Sequence, residues 1–325
     1  MAAQLQAAPD TPDTPDLVDL RQLTAHDLEP VLREEIASWH EDLEWDFQKS
    51  ADLVRRFVDG RALSGLALRI HGSVAGYLYY VLEDRKGLIG DLYILREHRT
   101  AAREDLLLGT AVEAMVSSRV VTRIEAQLLM LDNVPARRIP RAAFAGAFER
   151  NFMRVDLVRP VASAPATVRP VRIEVFSDHD QDAAAQLIAD AYHGHIDSRI
   201  NDQYRSVSGA RAFLFNIVQY PGCGSFFRPA SFAAFDAAGR LCGISLASLV
   251  APETGHLTQI CVLPEYRGLG IGHALIRRSL ARLRDLGCRS TSLTVTAANQ
   301  GAVALYQHIG FRIVRRFPAY AWEGF

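Results

Sequence analysis

The sequence predicts an α/β protein built from two similar halves, and three observations carry that prediction. A proline-rich seam, "LVRPVASAPATVRPVRI", lies near the middle of the 325 residues. The same order of strand, helix and further strands recurs on either side of it. One segment of each half overlays the other without a gap. The length is comfortable for two domains and long for one.

In the first half, "LVDLRQLTAHDLEPVLREEI" reads as a short strand and then a helix. "ALSGLALRIHGSVAGYLYYVLED" and "GLIGDLYIL" read as three strands, with turns at Gly72 and near Lys86 and Gly87. The second half repeats the order in "VRIEVFSDHDQDAAAQLIADAY", "SFAAFDAAGRLCGISLASLV" and "HLTQICVL", with a turn over Asp236 to Gly239. "LREHRTAAREDLLLGTAV" (Leu95 to Val112) lies on "LPEYRGLGIGHALIRRSL" (Leu263 to Leu280) position for position, Glu97 on Glu265 and Arg99 on Arg267. This is a duplication at domain scale. The expected divisions are a disordered tail at 1–16, a first domain at 17–158, a linker at 159–170 and a second domain at 171–325.

Bulk properties narrow the function. Net charge is −1, so no global field points to nucleic acid or an anionic membrane. Apolar runs fall short of a membrane span. The opening "MAAQLQAAPDTPDTPD" has neither the basic start nor the apolar core of a signal peptide, and a reducing cytoplasm is the expected compartment. Cys223, Cys242, Cys261 and Cys288 lack metal-site spacing, so no metal is expected; Cys242 and Cys261 read as small buried thiols.

"PEYRGLGIGHAL" places Gly268, Gly270 and Gly272 where a strand hands over to a helix. The start of a helix offers unpaired amides and the positive end of its dipole, and alternate glycines let those amides close on phosphate. The helix carries an apolar stripe of Leu275, Ile276, Leu280 and Leu283, with Gly287 at its end. Downstream, "TSLTVT" reads as a strand. In "AANQGAVALYQHIGFRIVRRF", Asn299 is a natural N-cap, Tyr306 lies two turns into the helix, and Gly310 ends it.

Over most of 171–325 these residues resemble the GNAT superfamily of acetyl-CoA-dependent N-acetyltransferases. Its phosphate loop is matched by Arg267, Gly268, Leu269, Gly270, Ile271 and Gly272. Its later motif is matched by Asn299, Ala302, Tyr306, Gly310 and Phe311. The resemblance implies two tandem domains, each a mixed, mostly antiparallel sheet flanked by helices and splayed where acetyl-CoA inserts. It implies that the backbone of Ile260, Cys261 and Val262 pairs with the pantetheine arm, one amide there polarising the thioester carbonyl. Amides from Gly268 to His273 are expected on the pyrophosphate, Asn299 on the cofactor, and Tyr306 as the acid that protonates the leaving thiolate.

The base is read by comparison within the superfamily. Ribosomal-protein acetyltransferases carry a glutamate on the strand before the Asn motif, where this chain has Thr294. Histone-type members carry one on the earlier strand, where this chain has His256, the expected base. Glu253, His193 and His195 are further candidates on flanking loops. Cys223 is read as a loop thiol, because this chemistry needs no acyl-enzyme.

In the first half, Thr100, Ala102 and Glu104 stand where the second has its glycines, and Glu104 is expected to set a carboxylate against pyrophosphate. The counterpart of Tyr306 falls on Ala147 or Phe148. The first domain is therefore expected to be silent, to pack on the second and to wall its groove. Trp39, Trp45 and the acidic run Glu41, Asp42, Glu44 and Asp46 read as a solvated helix face or a contact for a basic substrate. The expected function is acetyl transfer to a primary amine of a small molecule or peptide, by a monomer or homodimer; the alternative is a non-catalytic acyl-CoA sensor.

Overall fold

The computed structural model describes residues 15–132, 134, 137–158, 167–220 and 224–325. The expected tail up to residue 14, the linker over 159–166 and Cys223 lie outside the described residues. Asp16, placed in the tail by the sequence, opens the first strand.

The first half runs β1 (Asp16–Asp19), α1 (Ala25–Leu43), α2 (Gln48–Asp59), β2 (Ser64–Ile70), β3 (Ser73–Glu83), β4 (Lys86–Ile94), α3 (Ala101–Ser117), β5 (Arg123–Gln127) and β6 (Ala145–Asp156). The second runs β7 (Arg172–Val175), α4 (Gln181–Tyr192), α5 (Asp197–Ile200), α6 (Val207–Gln219), β8 (Ser225–Phe226), β9 (Phe232–Phe235), β10 (Leu241–Ala251), β11 (Thr254–Val262), α7 (Ile271–Asp285), β12 (Ser290–Thr296), α8 (Gln300–Ile309) and β13 (Arg312–Glu323). The turn at Gly72 stands where it was expected, with φ 84°. The next turn falls at Asp84 and Arg85, one step earlier than expected, because Lys86 and Gly87 already pair in β4 with Glu83 and Leu82.

The overlay of the halves holds in three dimensions. β3 and β4 occupy the same places in the first half as β10 and β11 in the second, and a single 3-10 turn follows each inner strand. Arg99 donates to the Ile94 carbonyl as Arg267 donates to that of Val262, the matching residue.

The two sheets are not separate. The strand order is β1-β2-β3-β4-β5-β13-β6-β12-β11-β10-β9-β7, with β8 beside β10. β13, from the end of the chain, lies between β5 and β6, and β6, from the first half, lies between β13 and β12. Each half thus completes the other's sheet. Side chains follow: Tyr320 and Trp322 of β13 pack with Leu107 and Ile124, while Met153 of β6 packs with Leu257 and Leu293.

The end of α1 meets this junction through Trp39, Trp45 and Glu44, while the side chains of Glu41 and Asp46 stay exposed, as the solvated-face reading expects. Trp39 and Trp45 are buried. Ser290 donates to Glu44 at 2.7 Å, Arg154 pairs with Glu44 at 3.0 Å, and the Asp46 amide donates to the Val250 carbonyl at 2.9 Å. Burial of the two indoles brings Glu44 and the Asp46 backbone to the interface.

Candidate active site

β11 and β12 are parallel neighbours only over Thr254–Leu257 and Ser290–Leu293. Beyond Leu257 they part, and Thr258 to Val262 keep β10 on one side alone. A strand edge left open in this way accepts an extended chain by main-chain hydrogen bonds. It borders a cavity of about 1190 Å³ that both halves line. Tyr79, Leu88, Gln127 and Arg150 come from the first half. The second half contributes Ile260, Cys261, Val262, Arg267, Gly268, Gly270, Ile271, Gly272, His273, Asn299 and Tyr306, among others. Of the predicted cofactor residues, only Leu269 is absent from the lining.

The glycine loop follows from backbone geometry. Gly268 and Gly270 have φ of 74° and 82°, in the left-handed region that side chains disfavour. Gly270 is the N-cap of α7, so the first amides of that helix face the cavity end of the loop. Both ring nitrogens of His273 are buried without a hydrogen-bond partner. Burial, together with the nearby Arg277 and His308, lowers its pKa. Open amides and an orphaned imidazole fit an anionic group. The Arg267 side chain is occupied otherwise: it bonds the Ala191 carbonyl at 2.6 Å and tethers the loop to α4.

Asn299 is the N-cap of α8, its side chain accepting from the Ala302 amide at 3.4 Å. Tyr306, on that helix, is 8% exposed, and burial raises its pKa strongly. A phenol so placed keeps its proton, since burial penalises phenolate. Cys261 is no nucleophile: burial pushes its thiol up to about 12. Cys242 and Cys288 are likewise buried with raised pKa values.

His256 lies in the paired part of β11. Its Nδ1 bonds the Ser292 hydroxyl at 2.9 Å and the Trp45 ring stands edge-on at 4.8 Å. Burial, with the Arg150 charge adding to it, lowers its pKa from 6.5 to about 3. Such an imidazole stays neutral but holds a proton poorly, which argues against the base role expected of it. Thr294 accepts from Arg150 Nη2 at 3.1 Å. Glu253 is a turn residue paired with Arg289 at 3.7 Å and does not line the cavity.

Three residues escaped sequence reasoning. Arg150 enters from the exchanged strand β6, Asp197 opens α5, and Gln259 of β11 bonds both Tyr192 at 3.0 Å and Tyr204 at 3.2 Å. Within "HGHIDSRINDQYRS" no spacing marks Asp197, and Arg150 lies in the half without the motifs.

The first half opens its sheet in the same way, β4 and β5 pairing only over Lys86–Ile89 and Arg123–Ala126, but the loop that follows differs. Thr100 caps α3, which starts at Ala101, two positions earlier than α7 in the overlay. Glu104 is buried against Arg137 at 2.6 Å, so it neutralises a guanidinium rather than facing an open loop, which corrects the charge-repulsion expectation. Ala147 and Phe148 lie in β6, not in a helix, so they are counterparts of β13 and not of Tyr306. Among the described residues no α-helix stands between β5 and β6.

Residues 195–311 match the Acetyltransferase (GNAT) family. A relative from Acidimicrobium ferrooxidans, named mycothiol acetyltransferase, is 26% identical over 302 residues, covering 88% of this chain and 91% of its own. A GCN5-related N-acetyltransferase structure from Sphaerobacter thermophilus superposes with TM-score 0.69 at 17% identity, over 96% of both chains. A tandem GNAT protein from the clavulanic acid biosynthesis pathway superposes with TM-score 0.61 at 18% identity, over 95% of this chain and 98% of that one. Residues 195–311 form a GNAT acetyltransferase domain, and the chain is an acyltransferase. The chain as a whole has the fold of the tandem form, two GNAT-like halves in one polypeptide. Among the described residues no helix is long and apolar enough to cross a membrane, and no cluster of three His, Cys, Asp or Glu is placed to hold a metal ion.

Proposed function

We propose that this chain transfers an acetyl group from acetyl-CoA to a primary amine, by direct attack in a ternary complex, at a single site in the second half. One observation carries the reading: the open edge of β11, the amides at the start of α7 and the Tyr306 phenol all border one cavity. The pantetheine arm adds to the Thr258–Val262 edge like a further strand. The pyrophosphate takes the amides from Gly268 to His273, and Asn299 contacts the cofactor. An amide of the open edge polarises the thioester carbonyl, and Tyr306 protonates the departing thiolate. The first half walls the acceptor side with Tyr79, Leu88 and Gln127.

The acceptor is read as a small molecule, in line with the name of the Acidimicrobium relative. The test is a panel of primary amines, cysteinyl amides included, with acetylated products read by mass spectrometry. Wild-type turnover is expected on at least one amine, with Tyr306→Phe lowering kcat by about 10²-fold or more. Acetyl-CoA binding without turnover on any amine would favour a sensor instead.

A further inference from the structure

We propose that Asp197 receives the acceptor: its carboxylate binds the incoming ammonium group and later takes the proton that the attacking nitrogen must lose. The proposal rests on the acetyl-transfer reading above and adds to it the residue that meets the nucleophile. Among the described residues lining the cavity, Asp197 is the sole carboxylate.

Its surroundings leave room for a cation. The side chain is 13% exposed, and Oδ1 accepts from the Thr296 hydroxyl of β12. Arg150 of β6 forms a long ion pair with Oδ1 at 4.0 Å without a hydrogen bond to it, and Nη2 donates to Thr294, so Oδ2 is left to face a second cation. His195 faces it too: Nδ1 lies 3.7 Å from Oδ2 and accepts the Asp197 backbone N–H at 3.2 Å. From α8 and α4, Tyr306 and Tyr192 face it, their pKa values raised chiefly by burial with the Asp197 charge adding to the effect. A carboxylate largely withdrawn from water is costly unless a charged donor completes it. An ammonium group fits that need. Asp197 then stands on the nucleophile's side of the reacting carbonyl and Tyr306 on the leaving group's side.

The bound ammonium first gives one proton to bulk water. The amine lone pair then forms the C–N bond to the thioester carbon, leaving an oxyanion and a positive nitrogen. Asp197 takes one proton from that nitrogen. The C–S bond breaks as the carbonyl re-forms, and sulfur takes the Tyr306 phenol proton. Water returns the Asp197 proton to the phenolate, so the ammonium nitrogen has lost two protons, one to bulk water and one in exchange for the proton now on sulfur.

The experiment uses the full chain and an alkyl amine that the wild type acetylates. Asp197→Asn is expected to lower kcat/KM by about 10²-fold or more, with the acetyl-CoA Kd held within about two-fold, and Asp197→Glu to recover part of the loss. As competing inhibitors, the wild type should prefer a primary alkylammonium to the isosteric alcohol, and Asp197→Asn should lose that preference. A live wild type whose kcat/KM is indifferent to Asp197→Asn would overturn this proposal alone. Equal losses in Asp197→Asn and Thr296→Val, with acetyl-CoA binding gone in both, would reduce Asp197 to a scaffold and overturn it also. A wild type that binds acetyl-CoA and acetylates nothing would overturn the transfer reading, and this proposal with it.

Discussion

Glu35 and Asp91 lie buried side by side in the first half, 0% and 4% exposed, and neither lines the cavity. The Tyr77 hydroxyl donates to Glu35 at 2.7 Å and the Leu92 amide to Asp91 at 2.8 Å. Burial lifts Asp91 from 3.8 to about 6, and it lifts Glu35 further, with the Asp91 charge adding to the effect. Glu35 keeps the proton of the pair. The folded chain therefore binds more protons than the unfolded chain between pH 3.8 and about 6, so stability falls as pH rises through that window. Asp91→Asn removes the ionisation and keeps an acceptor for Leu92. Its Tm is expected above that of the wild type at pH 8, with the gap narrowing below about pH 6 and closing towards pH 3.8; a lower Tm at pH 8 would count against this account.

At the scale of elements, the two loop-to-helix junctions differ in how their amides are used. α3 begins early and Thr100 caps it, so the amides of Arg103 and Glu104 go to Thr100. α7 begins at Ile271 behind glycines with positive φ, and its first amides face the cavity. Calorimetry with acetyl-CoA should therefore find one site per chain. Gly270→Glu should abolish it, because a carboxylate then meets the pyrophosphate and the left-handed backbone costs a further ~1–2 kcal/mol. Two sites in the wild type would mean that the first half also binds. On the acceptor side, the start of the second half's helical segment is pinned to the first half. Arg123 donates to the Arg199 carbonyl at 2.9 Å, and Lys86 pairs with Asp202 at 2.7 Å. This holds α5, and Asp197 with it, over the cavity.

For the whole molecule, exchange of β6 and β13 makes the halves inseparable. Trp322, near the chain's end, is fully buried in the first half's core and donates to the Pro140 carbonyl at 2.7 Å. A fragment of residues 171–325 would leave one edge of β12 and both edges of β13 without partners, with the apolar faces of Tyr320 and Trp322 exposed. It is expected to show no cooperative thermal transition. In the full chain, Trp322→Ala should lower the stability of the whole by roughly 3–5 kcal/mol, in one transition. A stable, acetyl-CoA-binding fragment would contradict the exchange.

Much of this was legible in the residues themselves, because the features concerned are local. Glycines at 268 and 270 are demanded by positive φ, Asn299 by an N-cap, Gly310 by a left-handed helix end, and the repeat of β3 and β4 in β10 and β11 by matched spacing. Such signals lie within a turn or two of chain, so the sequence by itself determined the loop, the Tyr306 helix and the two-part α/β class. Tertiary structure alone decided what depends on distant segments. It withdrew His256 from water behind Trp45 and so lowered its pKa to about 3. It set Arg137 against Glu104, passed β6 and β13 between the halves, and brought Arg150 within 4.0 Å of Asp197. Burial and charge are properties of the assembled surroundings, and no spacing along one strand or helix encodes them.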